Sequence, residues 1–158
     1  MRLEGKVSIV TGAGRGIGFA TVKKFLAEGS KVIACDINPL LIEQLSTVFA
    51  NDSNGTATVV DVTDSQGVVD MVNAAVTKYG RIDVLVNNAG IVRDSRMINM
   101  TEDAFDNVID VNLKGTYNCA KAVFPHMMEQ RTGVVLNASS IVGLYLSLIH
   151  ISEPTRRS

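Results

Sequence analysis

Thr11-Gly12-Ala13-Gly14-Arg15-Gly16-Ile17-Gly18 joins an apolar run, residues 7–10, to a helical pattern in which Phe19, Val22 and Leu26 share one face. A strand, a glycine turn and a helix in that order make a phosphate site. The first turn of a helix carries unpaired backbone N–H groups, and the helix dipole adds partial positive charge there. Glycine lets the chain turn tightly and approach a pyrophosphate with no Cβ in the way. A glycine turn alone is weak evidence. Here the strand before it, the helix after it and an acid downstream supply the context that dinucleotide binding requires.

The alternation continues outward from that turn. The helix spans about residues 15–28 and stops at Gly29, a residue that accepts the left-handed backbone of a helix end. A second strand, Lys31–Asp36, is almost continuously apolar and ends in an acid. Asn38 and Pro39 then read as a helix cap and first helical residue, with Leu41, Leu45 and Val48 as the buried stripe. Residues 51–55 form a polar loop, and a third strand covers residues 56–62. The next helix starts at Asp64 or Ser65, buries Val68, Val72, Ala75, Val76 and Tyr79, and ends at Gly80. Residues 82–87 make the fourth strand, residues 101–129 a long amphipathic helix, and residues 134–138 the fifth strand. Strands this apolar are buried on both faces, which means a parallel sheet covered by helices. The expected fold is α/β, a doubly wound parallel sheet of the Rossmann type with right-handed crossovers, truncated after the fifth strand.

Asp36 stands where a dinucleotide-binding fold places an acid against the adenosine ribose hydroxyls. A 2′-phosphate would meet like charge there, which favours NAD over NADP. Arg15 pulls the other way, because a guanidinium can pair with a 2′-phosphate. An ordinary strand-end acid before a helix cap is the plain alternative.

At 158 residues the chain has the length of one domain. A net charge of −1, spread along the chain, leaves no electrostatic footprint for nucleic acid or an anionic membrane. Cys35 and Cys119 are the only cysteines, isolated in a strand and a helix, which suggests a reducing compartment. The opening residues run straight into the first strand and leave no room for a signal peptide. No apolar run is long enough to span a bilayer. Composition therefore predicts a soluble, cytoplasmic protein. His126 and His150 have no metal-ligand spacing to either cysteine, so no metal is expected.

Three motifs in order, Thr11-Gly12 with Gly16-Ile17-Gly18, then Asn87-Asn88-Ala89-Gly90, then Ser139-Ser140-Ile141-Val142-Gly143, resemble the short-chain dehydrogenase/reductase family. The segment from Asn87 to Asp94 most resembles the 3-oxoacyl-acyl-carrier-protein reductase branch, which serves fatty acid biosynthesis. The likeness covers residues 1–145. It implies that Gly12, Gly14, Arg15, Gly16, Ile17 and Gly18 cradle a pyrophosphate and that Asp36 and Ile37 flank the adenosine ribose. Asp61 and Val62 would contact adenine, and Asn88, Ala89 and Gly90 would line the cofactor groove. The reaction implied is NAD(P)-dependent interconversion of a ketone and a secondary alcohol, with a 3-oxoacyl thioester, on acyl carrier protein, as substrate. Relatives pack the long helix against its counterpart, which implies a homo-oligomer. Arg131 resembles a position that docks the carrier protein, although an arginine near Glu129 is also an ordinary solvated charge.

Asn112 continues the apolar stripe set by Phe105, Val108 and Ile109, followed by Thr116, Ala120, Val123 and Met127. A core-facing amide without partners costs about 1–3 kcal/mol, so it is a satisfied core group or a helix-bending residue. The resemblance instead makes Asn112 the catalytic asparagine that holds a water in a proton relay. It makes Ser140 the serine that polarises the substrate carbonyl. The family's tyrosine and lysine should follow, but Glu153 and Arg157 stand at those positions. Residues 146–158 do not resemble the family and read as sequence joined to a truncated frame. The chain is therefore expected to be inactive as written, its fifth strand an unpaired apolar edge prone to aggregation. A non-catalytic dinucleotide-binding remnant is the alternative.

Overall fold

The computed structural model describes residues 1–50 and 52–140. Residues 141–158, which include Tyr145, His150, Glu153, Arg157 and the whole 146–158 segment, lie outside the described residues. Five strands, β1 (Val7–Thr11), β2 (Lys31–Asp36), β3 (Gly55–Val59), β4 (Val84–Asn87) and β5 (Val134–Asn137), form one sheet. All pairs are parallel, in the order β3-β2-β1-β4-β5.

The two-residue period of a strand sends alternate side chains to opposite faces. Ile9, Ile33, Cys35 and Leu85 meet α3 (Ser65–Tyr79) and α5 (Gly115–Gln130) through Val68, Met71, Val72, Val123 and Met127. Val10, Val32 and Ala34 meet α1 (Gly16–Ala27) and α2 (Pro39–Phe49) through Val22, Ile42, Leu45 and Phe49. Helices therefore cover both faces, as a doubly wound fold requires. Helix ends follow the expected signals: Asn38 caps α2, Asp64 caps α3, and Gly80 closes α3 at φ 76°. Among the described residues no helix is long and apolar enough to cross a membrane.

Four local expectations need correction. The α2 stripe is Ile42, Leu45 and Phe49, while Val48 is exposed and Leu41 half-buried. In this orientation the Phe49 ring covers Gly55, the first residue of β3, where a side chain would leave it no room. The β3 ladder stops at Val59, beyond which Val60 N still donates to Asp36 O at 3.0 Å. The β4 ladder starts at Val84, with Ile82 and Asp83 buried just before it. The long helix is not continuous: α4 (Glu102–Val108) runs into a π-helical turn, Ile109–Lys114, before α5. A π turn takes more residues than an α turn, so the apolar phase does not carry through it. Phe105 and Ile109 consequently face outward, 53% and 39% exposed. Among the described residues β5 pairs with β4 alone, and its Val134 and Leu136 are half-exposed.

At the amino edge of the sheet, the Asp83 carboxylate accepts hydrogen bonds from Val7 N (3.0 Å), Lys6 Nζ (3.2 Å) and the Arg81 guanidinium. Burial pushes this carboxyl up. The bonds from Arg81, Val7 and Lys6 outweigh that and hold it below the usual carboxylate range. The stabilisation is thus present above the unfolded value, about 4, and is lost as pH falls through the lower folded value. We expect Asp83→Ala to lower stability in urea at pH 7 by about 2–3 kcal/mol. The gap between variant and unchanged chain should close in acid, and a gap independent of pH would contradict the assignment.

Candidate functional site

Strand order reverses at β1, whose neighbours β2 and β4 lead to opposite sides. Open α/β sheets form their binding crevice outside the carboxyl ends of the strands at this switch point. A cleft of about 710 Å³ opens there. It is lined by Gly12, Arg15, Gly16, Ile17, Asp36, Ile37, Asp61, Val62, Asn88, Ala89 and Gly90. Of the residues expected to hold a cofactor, Gly14 and Gly18 alone do not line it.

Those two glycines act behind the wall. A Cβ on Gly14 would strike Leu41, and one on Gly18 would strike the Gly12 carbonyl oxygen. Gly12 itself has φ +61°, and a Cβ there would lie 2.8 Å from Ala89 Cα. The turn is thus pressed against the segment after β4, and only glycine permits the approach. Arg15 begins α1 without a side-chain cap, so the first N–H groups of the helix are left to the cleft.

Thr11 stitches the two sides together. Its Oγ1 accepts from the backbone N–H of Asn88 and of Ala89, both at 3.0 Å. Asn88 returns two bonds from Nδ2, to the Thr11 and Gly12 carbonyls, also at 3.0 Å. Asp36 braces the turn from the other side. Its Oδ2 accepts from Gly14 N and its Oδ1 from Asn38 N, each at 3.0 Å. Sequence reasoning missed Thr11 as a holder of the site, along with Asn38, Leu41, Val60, Ile91 and Val111 in its lining. The signal for Thr11 was available: a hydroxyl at the carboxyl end of the strand, one step from the glycine turn.

Asn112 lies in the π turn and is exposed rather than core-facing. The π turn rotates it off the buried stripe. Its amide still finds both partners on one residue: Oδ1 accepts from Ile91 N (2.8 Å) and Nδ2 donates to Ile91 O (3.0 Å). Thr116 Oγ1 donates to the Asn112 carbonyl at 2.8 Å. Asn112 therefore anchors the segment that follows Gly90. Ser140 lies beyond β5, past Ala138 N, which extends the ladder by donating to Asn87 O at 2.8 Å. It is exposed among the described residues and belongs to the same carboxyl edge as the cleft.

The family profile described as short chain dehydrogenase matches residues 6–151. The chain belongs to the short chain dehydrogenase family. It is 47% identical over 150 residues to 3-oxoacyl-acyl-carrier-protein reductase FabG of Thermotoga maritima, covering 92% of this chain and 59% of that protein. It is 37% identical over 149 residues to 3alpha-hydroxysteroid dehydrogenase of Mediterraneibacter gnavus, again covering 92% of this chain and 59% of the other. The crystal structure of gox2181 matches with a TM-score of 0.88 at 30% identity, over 93% of this chain and 58% of that one. The chain thus spans about six-tenths of the length of these relatives.

Other reactive groups of this short chain dehydrogenase stand apart from the cleft. Cys35 and Cys119 are buried and free, and burial pushes both thiols up, Cys119 to about 12. Neither is a thiolate nucleophile. No three His, Cys, Asp or Glu side chains cluster as a metal site among the described residues. Arg131 ends α5 at φ 53°, at the amino edge of the sheet and away from the cleft. We expect Thr11→Val to cost about 1–3 kcal/mol, because it strips the acceptor from two backbone N–H groups. Thr11→Ser should restore most of that in a denaturant titration, and equal loss in both variants would sink this account.

Proposed function

We propose that the cleft holds a nicotinamide dinucleotide, NAD in preference to NADP, for hydride exchange between a ketone and a secondary alcohol. The observation that carries this is the meeting, around one cleft, of the glycine turn, the strand-end acid and the Asn88–Gly90 segment. Gly16, at φ +54° and with open space where a Cβ would stand, presents bare backbone to the cleft, which fits a pyrophosphate closely approached by backbone. Gly12, Arg15, Gly16 and Ile17 hold the phosphates at the start of α1, with Gly14 and Gly18 allowing the packing behind them. Asp36, oriented by Gly14 N and Asn38 N, accepts from the adenosine ribose, with Ile37 beside it. Asp61 and Val62 meet adenine, and Asn88, Ala89 and Gly90 line the nicotinamide side. When bound, the nicotinamide supplies the acceptor or donor of hydride.

Asn112 fixes Ile91 and the segment after Gly90, and Ser140 donates its O–H to the substrate carbonyl. A 3-oxoacyl thioester borne on acyl carrier protein is the substrate class favoured by the 47% identity to the Thermotoga maritima reductase. The whole protein self-associates through the outward apolar side chains of α5, among them Tyr117, Phe124 and Met128. Proton transfer is where this chain departs. Glu153 and Arg157 stand where the resemblance calls for a tyrosine and a lysine. An ordinary glutamate is ionised at neutral pH and arginine is permanently charged, so neither protonates an alkoxide. The chain as written binds cofactor without turning substrate over.

Fluorescence titration with NADH and NADPH tests the first part. NADH should bind about tenfold more tightly, and Asp36→Ala should narrow that ratio by relieving repulsion of the 2′-phosphate. Equal binding of the two would overturn the preference, and binding of neither would overturn the cleft assignment. Oxidation of NADH on adding acetoacetyl thioester should be absent, and measurable turnover would overturn the proton-transfer argument.

A further inference from the structure

We infer that Asn118 and Gly115, on α5 and outside the cleft, are positioning residues for its adenosine side. The inference rests on the dinucleotide reading above. With phosphates at the start of α1 and ribose at Asp36, the base lies further out, beside the residues that follow β3. That wall is Val60, Asp61 and Val62.

Two kinds of contact fix it. Asp61 folds the segment on itself, its Oδ1 accepting from Thr63 N and Thr63 Oγ1, both at 2.8 Å. Asn118 then reaches across from α5 and donates from Nδ2 to Val62 O at 2.9 Å and, at the longer 3.4 Å, to Thr63 O. Asn118 is only 7% exposed and neighbours Cys119 on a helix face that is otherwise apolar. Packing alone would be served by leucine at such a position, whereas a buried amide is tolerated only where its bonds are made. Its donor is spent on a carbonyl of the cleft wall. Gly115, one turn earlier, allows the approach: a Cβ there would lie 2.6 Å from Val62 Cγ2 and 3.1 Å from Val62 Cβ. The absent methyl of Gly115 sets how far Val62 stands back, and the amide of Asn118 sets its carbonyl.

The test is calorimetric binding of AMP and of NADH to the full chain, unchanged and with Asn118→Ala or Gly115→Ala. Both variants should weaken AMP and NADH by the same factor, about three- to tenfold, because the loss lies in the adenosine half. Gly115→Ala carries a second signature: the better helix propensity of alanine offsets the cost of pushing Val62 back, so melting should change little while binding weakens. A role confined to stability would move melting and binding in the same direction. Folded variants, by circular dichroism, that bind AMP as the unchanged chain does would overturn the inference. So would a loss seen with NADH and not with AMP. Should Asn118→Ala fail to fold, Gly115→Ala decides alone, since it removes no hydrogen bond. If the unchanged chain binds neither AMP nor NADH, the dinucleotide reading falls, and this inference with it.

Discussion

Thr11 and Asn88 exchange hydrogen bonds across the carboxyl ends of β1 and β4, and the rest of the cleft is placed relative to that exchange. The hydroxyl satisfies two backbone donors that leave the sheet, while the asparagine satisfies two carbonyls that enter the glycine turn. Backbone groups at a strand end otherwise depend on water. Here they are paired within the protein, so the turn and the segment after β4 are held together at a fixed spacing. The missing Cβ atoms of Gly12 and Gly18 keep that spacing small. Asp36 then fixes the turn on its outer side through Gly14 N. A rigid concavity results, built from backbone rather than from long side chains.

The fold was legible because its signals are local. Buried strands announce themselves as apolar runs, and Asn38, Asp64 and Gly80 mark helix ends by chemistry that acts within a few residues. The lining of the cleft was largely legible too, since strand ends in a parallel sheet converge by topology. What was not legible depends on contacts between distant segments. Residues 39–49 fit two apolar stripes at helical spacing, and the one that is buried places Phe49 over Gly55, a contact the periodicity does not encode. The π turn was invisible for a related reason. Its six residues, Ile109–Lys114, have an unremarkable helical composition, and the turn is held partly by the bonds of Asn112 to Ile91.

That π turn also shows how a helix can serve two masters. Within it Asn112 grips the segment after β4, and downstream, on α5, Asn118 grips the residues after β3. The two grips lie on opposite walls of one cleft. The π turn shifts the helical phase between the two positions. Interruptions of this kind are frequent where a helix borders a functional site.

The two faces of the sheet differ in how much chain they need. The cluster against α1 and α2 draws its buried residues from Val10 to Phe49, a contiguous run. The cluster on the other face begins at Val7 and is not complete until Met127. On a ribosome, where domains form from the amino terminus as the chain emerges, the first face has all its buried residues before half the protein is made. The second must wait for α5. Until that helix is made, Ile9, Ile33 and Cys35 lack the cover that Val123 and Met127 give them in the folded chain.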